Sequence, residues 1–124
     1  MSNRNILAAG TIFMALAVLL GAFGAHTLKN SLAPEMLTVY KTGVEYQFYH
    51  AIGLLIIGLI GFHIDSKWLK RSGLLLTLGI LLFSGSLYVL ALTGIKVIGA
   101  ITPIGGVSFV LGWIFLAVAV WKRA

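Results

Sequence analysis

What limits this chain most is a pattern met four times: about 20 residues almost free of charge, followed by a short polar break. Apolar stretches fill residues 6–25, 43–62, 72–92 and 103–121. A bilayer's hydrocarbon core is about 30 Å thick and a helix rises about 1.5 Å per residue, so each stretch is long enough for one crossing. Inside lipid, every backbone N–H and C=O must find its partner within the segment, which leaves the helix as the form for such a run. The expected fold is all-α: an integral membrane four-helix bundle forming a single domain over residues 1–124. Its connections are short, so neighbouring helices should be antiparallel. With 60% apolar and only 10% charged residues, the chain has too little polar surface for a soluble globule.

The first apolar run resembles a signal peptide in having Arg4 before it and Ala22-Phe23-Gly24 near its end. It is longer than the roughly 7–15 residues of a signal-peptide apolar region, so a retained helix is expected. The basic residues behind the net charge of +6 sit singly or in small groups between the spans. That is the pattern of a topology signal, and it excludes a nucleic-acid surface. Arg4, Lys67, Lys70, Arg71, Lys122 and Arg123 fall on the side that holds the termini, against Lys29, Lys41 and Lys96 on the other. This asymmetry places both termini in the cytoplasm and the chain in the cell membrane as a multi-pass protein. Reporter fusions at the C-terminus and in the 29–33 loop should therefore report opposite sides; signals from the same side would reject the topology. Trp68 and Trp121 are expected at the cytoplasmic interface, and Trp113 near mid-membrane. With no cysteine in the chain, disulfides, thiol chemistry and Cys-based metal sites are ruled out.

Helix ends can also be read. Pro34 suits a first helical position, where its missing N–H costs nothing. A helix from Pro34 to Phe62 is too long to stand upright, so residues 34–41 should lie in the outer interface, with a bend or tilt near Gly43. Gly94 should terminate the third helix, and Thr102 should cap the fourth ahead of Pro103.

The polar residues inside the spans share one depth, in the outer half. His26 ends the first span. Glu45, Tyr46, Gln47, Tyr49 and His50 sit in the second, Ser84, Ser86 and Tyr88 in the third, and Thr102 and Ser108 in the fourth. Thr42, Tyr46 and His50 recur every four residues and form one helix face, with Glu45 at one edge and Gln47 past the other. One reading is an outward-opening polar pocket made by His26, Glu45, Tyr46, Tyr49, His50, Ser84 and Tyr88. The other is interface chemistry. Lys41 and Glu45 would neutralise each other at i, i+4, the tyrosines would form an aromatic belt, and the histidines would bond each other or a backbone carbonyl. His26, Glu45 and His50 make a poor metal set. Glu45 and His50 are five residues apart, off a shared face, and no Cys or Asp joins them. The serines lack a nucleophile elbow, and Asp65 lies in a loop. No catalytic residue, metal or cofactor is assigned, and an enzyme is the least favoured class.

Small residues point to close helix approach. Ala17, Gly21 and Ala25 form a stripe on the first helix, and Ser108 and Gly112 repeat the spacing on the fourth. A homo-oligomer joined through one of these helices is expected. GAFGAH (21–26) has no strand before it and is not a nucleotide loop. FSGSLY (83–88) suggests a kink or tight packing. ITPIGG (101–106) either exposes N–H groups to an anion or packs tightly on the third helix.

Taken in order, GAFGAH, the TG, YQ and YH pairs of residues 42–50, LFSGSLY with its following LTG (82–94), and ITPIGG resemble the YgdD/YwdK-like small bacterial membrane proteins. The resemblance covers nearly the whole chain. It implies a four-helix protein of the bacterial inner membrane, of uncharacterised function, and brings no established activity or catalytic residue with it. Two functions follow from the residues themselves. The protein either binds or transports a small polar solute, anion or lipid headgroup, or it acts as an accessory scaffold through helix packing. The expected partners are the lipid bilayer, a lipid or small polar ligand, and a second copy of the chain.

Overall fold

Ser2 starts the first helix: its hydroxyl accepts the Asn5 N–H at 3.1 Å. In the computed structural model, which describes residues 1–123, helix α1 runs over Asn3–His26. A 3₁₀ turn at Leu28–Asn30 leads to α2, Pro34–Ile60. Pro34 stands in the first turn of α2 and Glu35 beside it, where a negative charge suits the positive pole of the helix. The 27 residues of α2 rise about 40 Å, more than the hydrocarbon core needs. The helix nevertheless runs through Gly43 without interruption. Gly43 serves contact instead: a Cβ there would stand 2.8 Å from the Tyr88 ring.

The third span is one rod with a defect in its middle. Helix α3 covers Lys67–Gly79, with the Ser66 hydroxyl accepting from the Trp68 and Leu69 N–H groups at 3.2 and 3.4 Å. A π-helical segment follows at Ile80–Ser84, then α4 at Gly85–Thr93. The irregularity expected at FSGSLY is therefore a π-bulge. Such a bulge inserts a residue into a turn and rotates the faces that follow it. Gly94 ends α4 with φ 72°, a conformation only glycine takes without strain, and its N–H donates to Leu90 O at 2.8 Å.

After a 3₁₀ turn at Lys96–Ala100, α5 covers Thr102–Arg123. Thr102, expected as a cap, is its first helical residue. Its hydroxyl lies 2.6 Å from that of Ser86, across the gap to α4.

Helix α1 packs on α2, which also lies against α3, the π segment and α4. Helix α5 packs along α3 and the π segment rather than along α2. The core has two parts. Ile6, Leu54, Ile57, Leu69, Leu76, Ile80, Phe109 and Ala119 fill the half nearer the termini. Leu28, Tyr40, Val44 and Ala91 fill the other. Serines lace α3 to α5: Ser72 donates to Gly112 O at 2.8 Å and Ser108 to Leu75 O at 2.6 Å. Such contacts are worth about 0.6 kcal/mol each within a membrane. The small-residue positions serve these same intrachain contacts. Gly112 meets Leu76, Gly21 meets Val44, and Ala17 is fully buried, while Ala25 is exposed.

Candidate functional site

Helix α2 carries polar groups on two faces, and the neighbouring helices give those faces different fates. One face, with Tyr40, Val44, Gln47, Ala51 and Leu54 at three- and four-residue spacing, is buried. Gln47, 2% exposed, is its centre. Its Nε2 donates to Phe13 O on α1 at 2.7 Å, and its Oε1 accepts the Tyr88 hydroxyl at 2.6 Å. Beside it, the Tyr40 hydroxyl donates to Leu20 O at 2.5 Å, and the Tyr40 and Tyr88 rings stand 5.4 Å apart. One turn from Tyr88, the buried Ser84 hydroxyl donates to Gly43 O at 2.7 Å. These bonds tie α1, the π segment and α4 to α2. Among the described residues no buried side-chain nitrogen or oxygen is left without a partner, as hydrocarbon requires.

The second face bears Tyr46 and His50 and looks toward α5. Because the α5 backbone follows α3, only side chains bridge the gap, and they are mostly aromatic. The His50 ring lies flat on Phe109, with centroids 3.5 Å apart and planes 11° apart. Tyr46 sits 4.6 Å from Phe83, and Trp113 lies 5.7 Å from His50. With Pro103, Gly106, Val107 and Val110 they line an open groove of about 590 Å³. The exposed surfaces of Tyr46, Val107, Val110 and Trp113 put its mouth on the flank that spans present to lipid.

His50 is oriented within the groove. Its Nδ1 lies 2.7 Å from Tyr46 O. A carbonyl only accepts, so in the neutral ring the proton sits on Nδ1 and Nε2 is left as an acceptor. Nε2 bonds to no other described residue, and no buried polar atom is orphaned. His50 is 6% exposed, so Nε2 is close to sealed, and the small surface the residue keeps lies on the groove it lines.

The seven expected site residues thus divide into three groups. Tyr46 and His50 come together in the groove. Ser84 and Tyr88 belong to the buried network on the other face of α2. His26, Glu45 and Tyr49 are exposed and do not line the groove, though the Tyr49 ring lies 5.8 Å from that of Tyr46. Lys41 and Glu45 do not pair. The one ion pair among the described residues joins Lys70 to Asp65 at 3.8 Å. No three His, Asp or Glu side chains gather there to hold a metal ion. Sequence reasoning passed over Gln47 as central, and over the walls Phe83 and Phe109. The signal for Gln47 was available, since an amide at that depth must be paired inside the bundle.

The comparisons with known proteins agree with this architecture. The family described as a protein of unknown function (DUF423) matches residues 20–106. A UPF0382 membrane protein of Staphylococcus saprophyticus is 50% identical over 115 residues, covering 91% of this chain and 93% of its own. The UPF0382 membrane protein YwdK of Bacillus subtilis is 46% identical over 114 residues, again covering 91% and 93%. A Staphylococcus epidermidis relative is 47% identical over 117 residues, with 93% of each chain covered. No solved structure matches. Four helices long and apolar enough to cross a membrane, together with relatives that are themselves membrane proteins, make this a multi-pass membrane protein, and the chain belongs to the UPF0382 membrane protein family, DUF423, whose function is unknown.

Proposed function

We propose that the protein is a lipid-binding module whose groove between α2 and α5 takes one hydroxyl-bearing amphiphile from the surrounding bilayer. The observation that carries this reading is His50, whose Nε2 has no partner among the described residues, on the wall of a largely aromatic and aliphatic groove open on the side of the bundle. A groove of about 590 Å³ lies within the usual range for a small-molecule site, about 300–1,000 Å³. Its walls are Phe83, Phe109, Trp113, Val107 and Val110, with Tyr46 and His50 as the polar side chains. An apolar wall with one or two aimed polar groups holds a molecule that is apolar along most of its length and polar at one point. The lateral mouth favours entry from the leaflet over entry of a solute from water.

Native mass spectrometry of protein released from lipid nanodiscs tests this. Wild type should retain one lipid-sized mass. His50→Phe keeps a ring on Phe109 but removes the acceptor, and should weaken retention about fivefold, the value of one hydrogen bond of about 1 kcal/mol. Val110→Trp should fill the groove and abolish retention. Thermal midpoints should stay near wild type in both variants. Unchanged retention in Val110→Trp would sink the proposal and leave the accessory-scaffold reading in its place.

A further inference from the structure

A second feature lies at the other end of the bundle and is independent of the groove. Trp68, in the first turn of α3, is ringed by cations. Lys67 Nζ lies 5.7 Å from its ring centroid, Arg71 Cζ 5.3 Å and Lys122 Nζ 5.2 Å. Two of these come from successive turns of α3 and one from the last turn of α5. The indole is itself held by α5, edge-on to Phe115 at 5.2 Å and 87°. The arrangement is therefore a junction between helices and not a chance meeting of neighbours in sequence.

Three like charges around one ring repel each other, and the π-face returns only a fraction of that. The positive pole of α3 adds to the same field. The sequence has three acidic side chains, Glu35, Glu45 and Asp65. Glu35 and Glu45 sit in the first half of α2, toward the opposite end. Asp65 is 96% exposed and lies against Lys70. Asp65 also lines a small cleft with Lys122, but one side-chain carboxylate already shared with Lys70 leaves the cluster net positive. The cluster stands where α3 begins and α5 ends, at the height where spans leave the hydrocarbon. The anion within reach at that height belongs to a lipid headgroup. We infer that Lys67, Arg71 and Lys122, gathered on Trp68, form a discrete site for the phosphate of one anionic phospholipid.

The test is lipid titration followed by native mass spectrometry, with phosphatidylglycerol against phosphatidylcholine. Wild type should take one phosphatidylglycerol with a preference of about tenfold or more, since each basic group near an anionic surface contributes a severalfold increase. The triple variant Lys67→Gln/Arg71→Gln/Lys122→Gln should lose that preference. A control triple, Lys29→Gln/Lys41→Gln/Lys96→Gln, removes the same net charge at the other end and should keep it. These positions are exposed or half-exposed, so circular dichroism should be unchanged in both. An equal loss in the two triples would overturn the site in favour of bulk charge, as would a wild type without preference. Displacement of the lipid by equimolar inorganic phosphate would also overturn it, because the site would then recognise phosphate without a bilayer.

Discussion

Gly105→Ala should destabilise the bundle by about 1–3 kcal/mol, and Gly105→Leu should leave no folded protein, while Gly106→Ala, one residue on, should pass almost unnoticed. The reason lies in what each new methyl group would meet. At Gly105 it would press on main chain: 2.7 Å from Leu82 C and 2.8 Å from Phe83 Cα, with the Phe83 nitrogen closer still. These atoms belong to the π segment and cannot rotate aside as a side chain does. At Gly106 the nearest atom is the edge of the Phe83 ring at 3.8 Å, an ordinary contact. Moving α5 outward to relieve Gly105→Ala would pull Thr102 from Ser86 and Ser108 from Leu75, both now at 2.6 Å. It would also draw Phe109, a wall of the groove, away from Phe83, now 5.4 Å off between ring centroids. Gly85→Ala makes a second control: nothing lies within 4 Å of that position, and alanine is the better helix former by up to about 1 kcal/mol. Denaturation midpoints in mixed micelles should fall for Gly105→Ala alone. Equal midpoints for the Gly105 and Gly106 variants would show that α5 does not seat on the bulge.

The same contact shows which parts of the molecule are legible in its sequence. Span number and helix ends are legible because local physics sets them. Lipid thickness demands about 20 apolar residues, Pro34 accepts a first-turn position, and Gly94 accepts a positive φ. FSGSLY and ITPIGG stand out as irregular for the same reason. Packing of ITPIGG on the third helix is one of its two sequence readings, but that Gly105 seats on Leu82 and Phe83 and Thr102 on Ser86 is a relation across 16 to 23 residues, which no periodicity encodes. The level along the bundle is more legible: Ser84 and Tyr88 meet α2 at Gly43 and Gln47, within about a turn of Tyr46 and His50. Their direction around the helix is not. In a soluble helix the polar face marks water. In a bilayer both faces of α2 are apolar, and both carry polar groups: Tyr46 and His50 on one, Tyr40 and Gln47 on the other. The neighbouring helices decide which face is sealed. With α1 and α4 on the Gln47 face and α5 displaced onto α3, one expected cluster becomes a dry network and a separate groove.

That division has a direct energetic consequence at Gln47 and Tyr88. Gln47→Leu keeps nearly the same volume but leaves the Tyr88 hydroxyl without its acceptor, at a cost of about 1–3 kcal/mol for a buried unpaired group. Tyr88→Phe strands Gln47 Oε1 and should cost a similar amount. Phe13 O matters less, since it keeps its place in the hydrogen-bond ladder of α1 when the amide is lost. The double variant Gln47→Leu/Tyr88→Phe removes donor and acceptor together and should return to within about 1 kcal/mol of wild type. The coupling should then exceed the average of about 0.6 kcal/mol for polar contacts between membrane helices, because Gln47 is 2% exposed and reaches two other helices at once. Unfolding in mixed micelles across the four proteins of the cycle measures it. If the single effects simply add, within about 0.3–0.5 kcal/mol, Tyr88 has another partner when Gln47 is gone. Water would be the obvious one, and water at Tyr88 would mean that the two faces of α2 share a single wet pocket after all. A strong coupling instead leaves the groove at His50 as the only one of the two polar clusters open to a ligand.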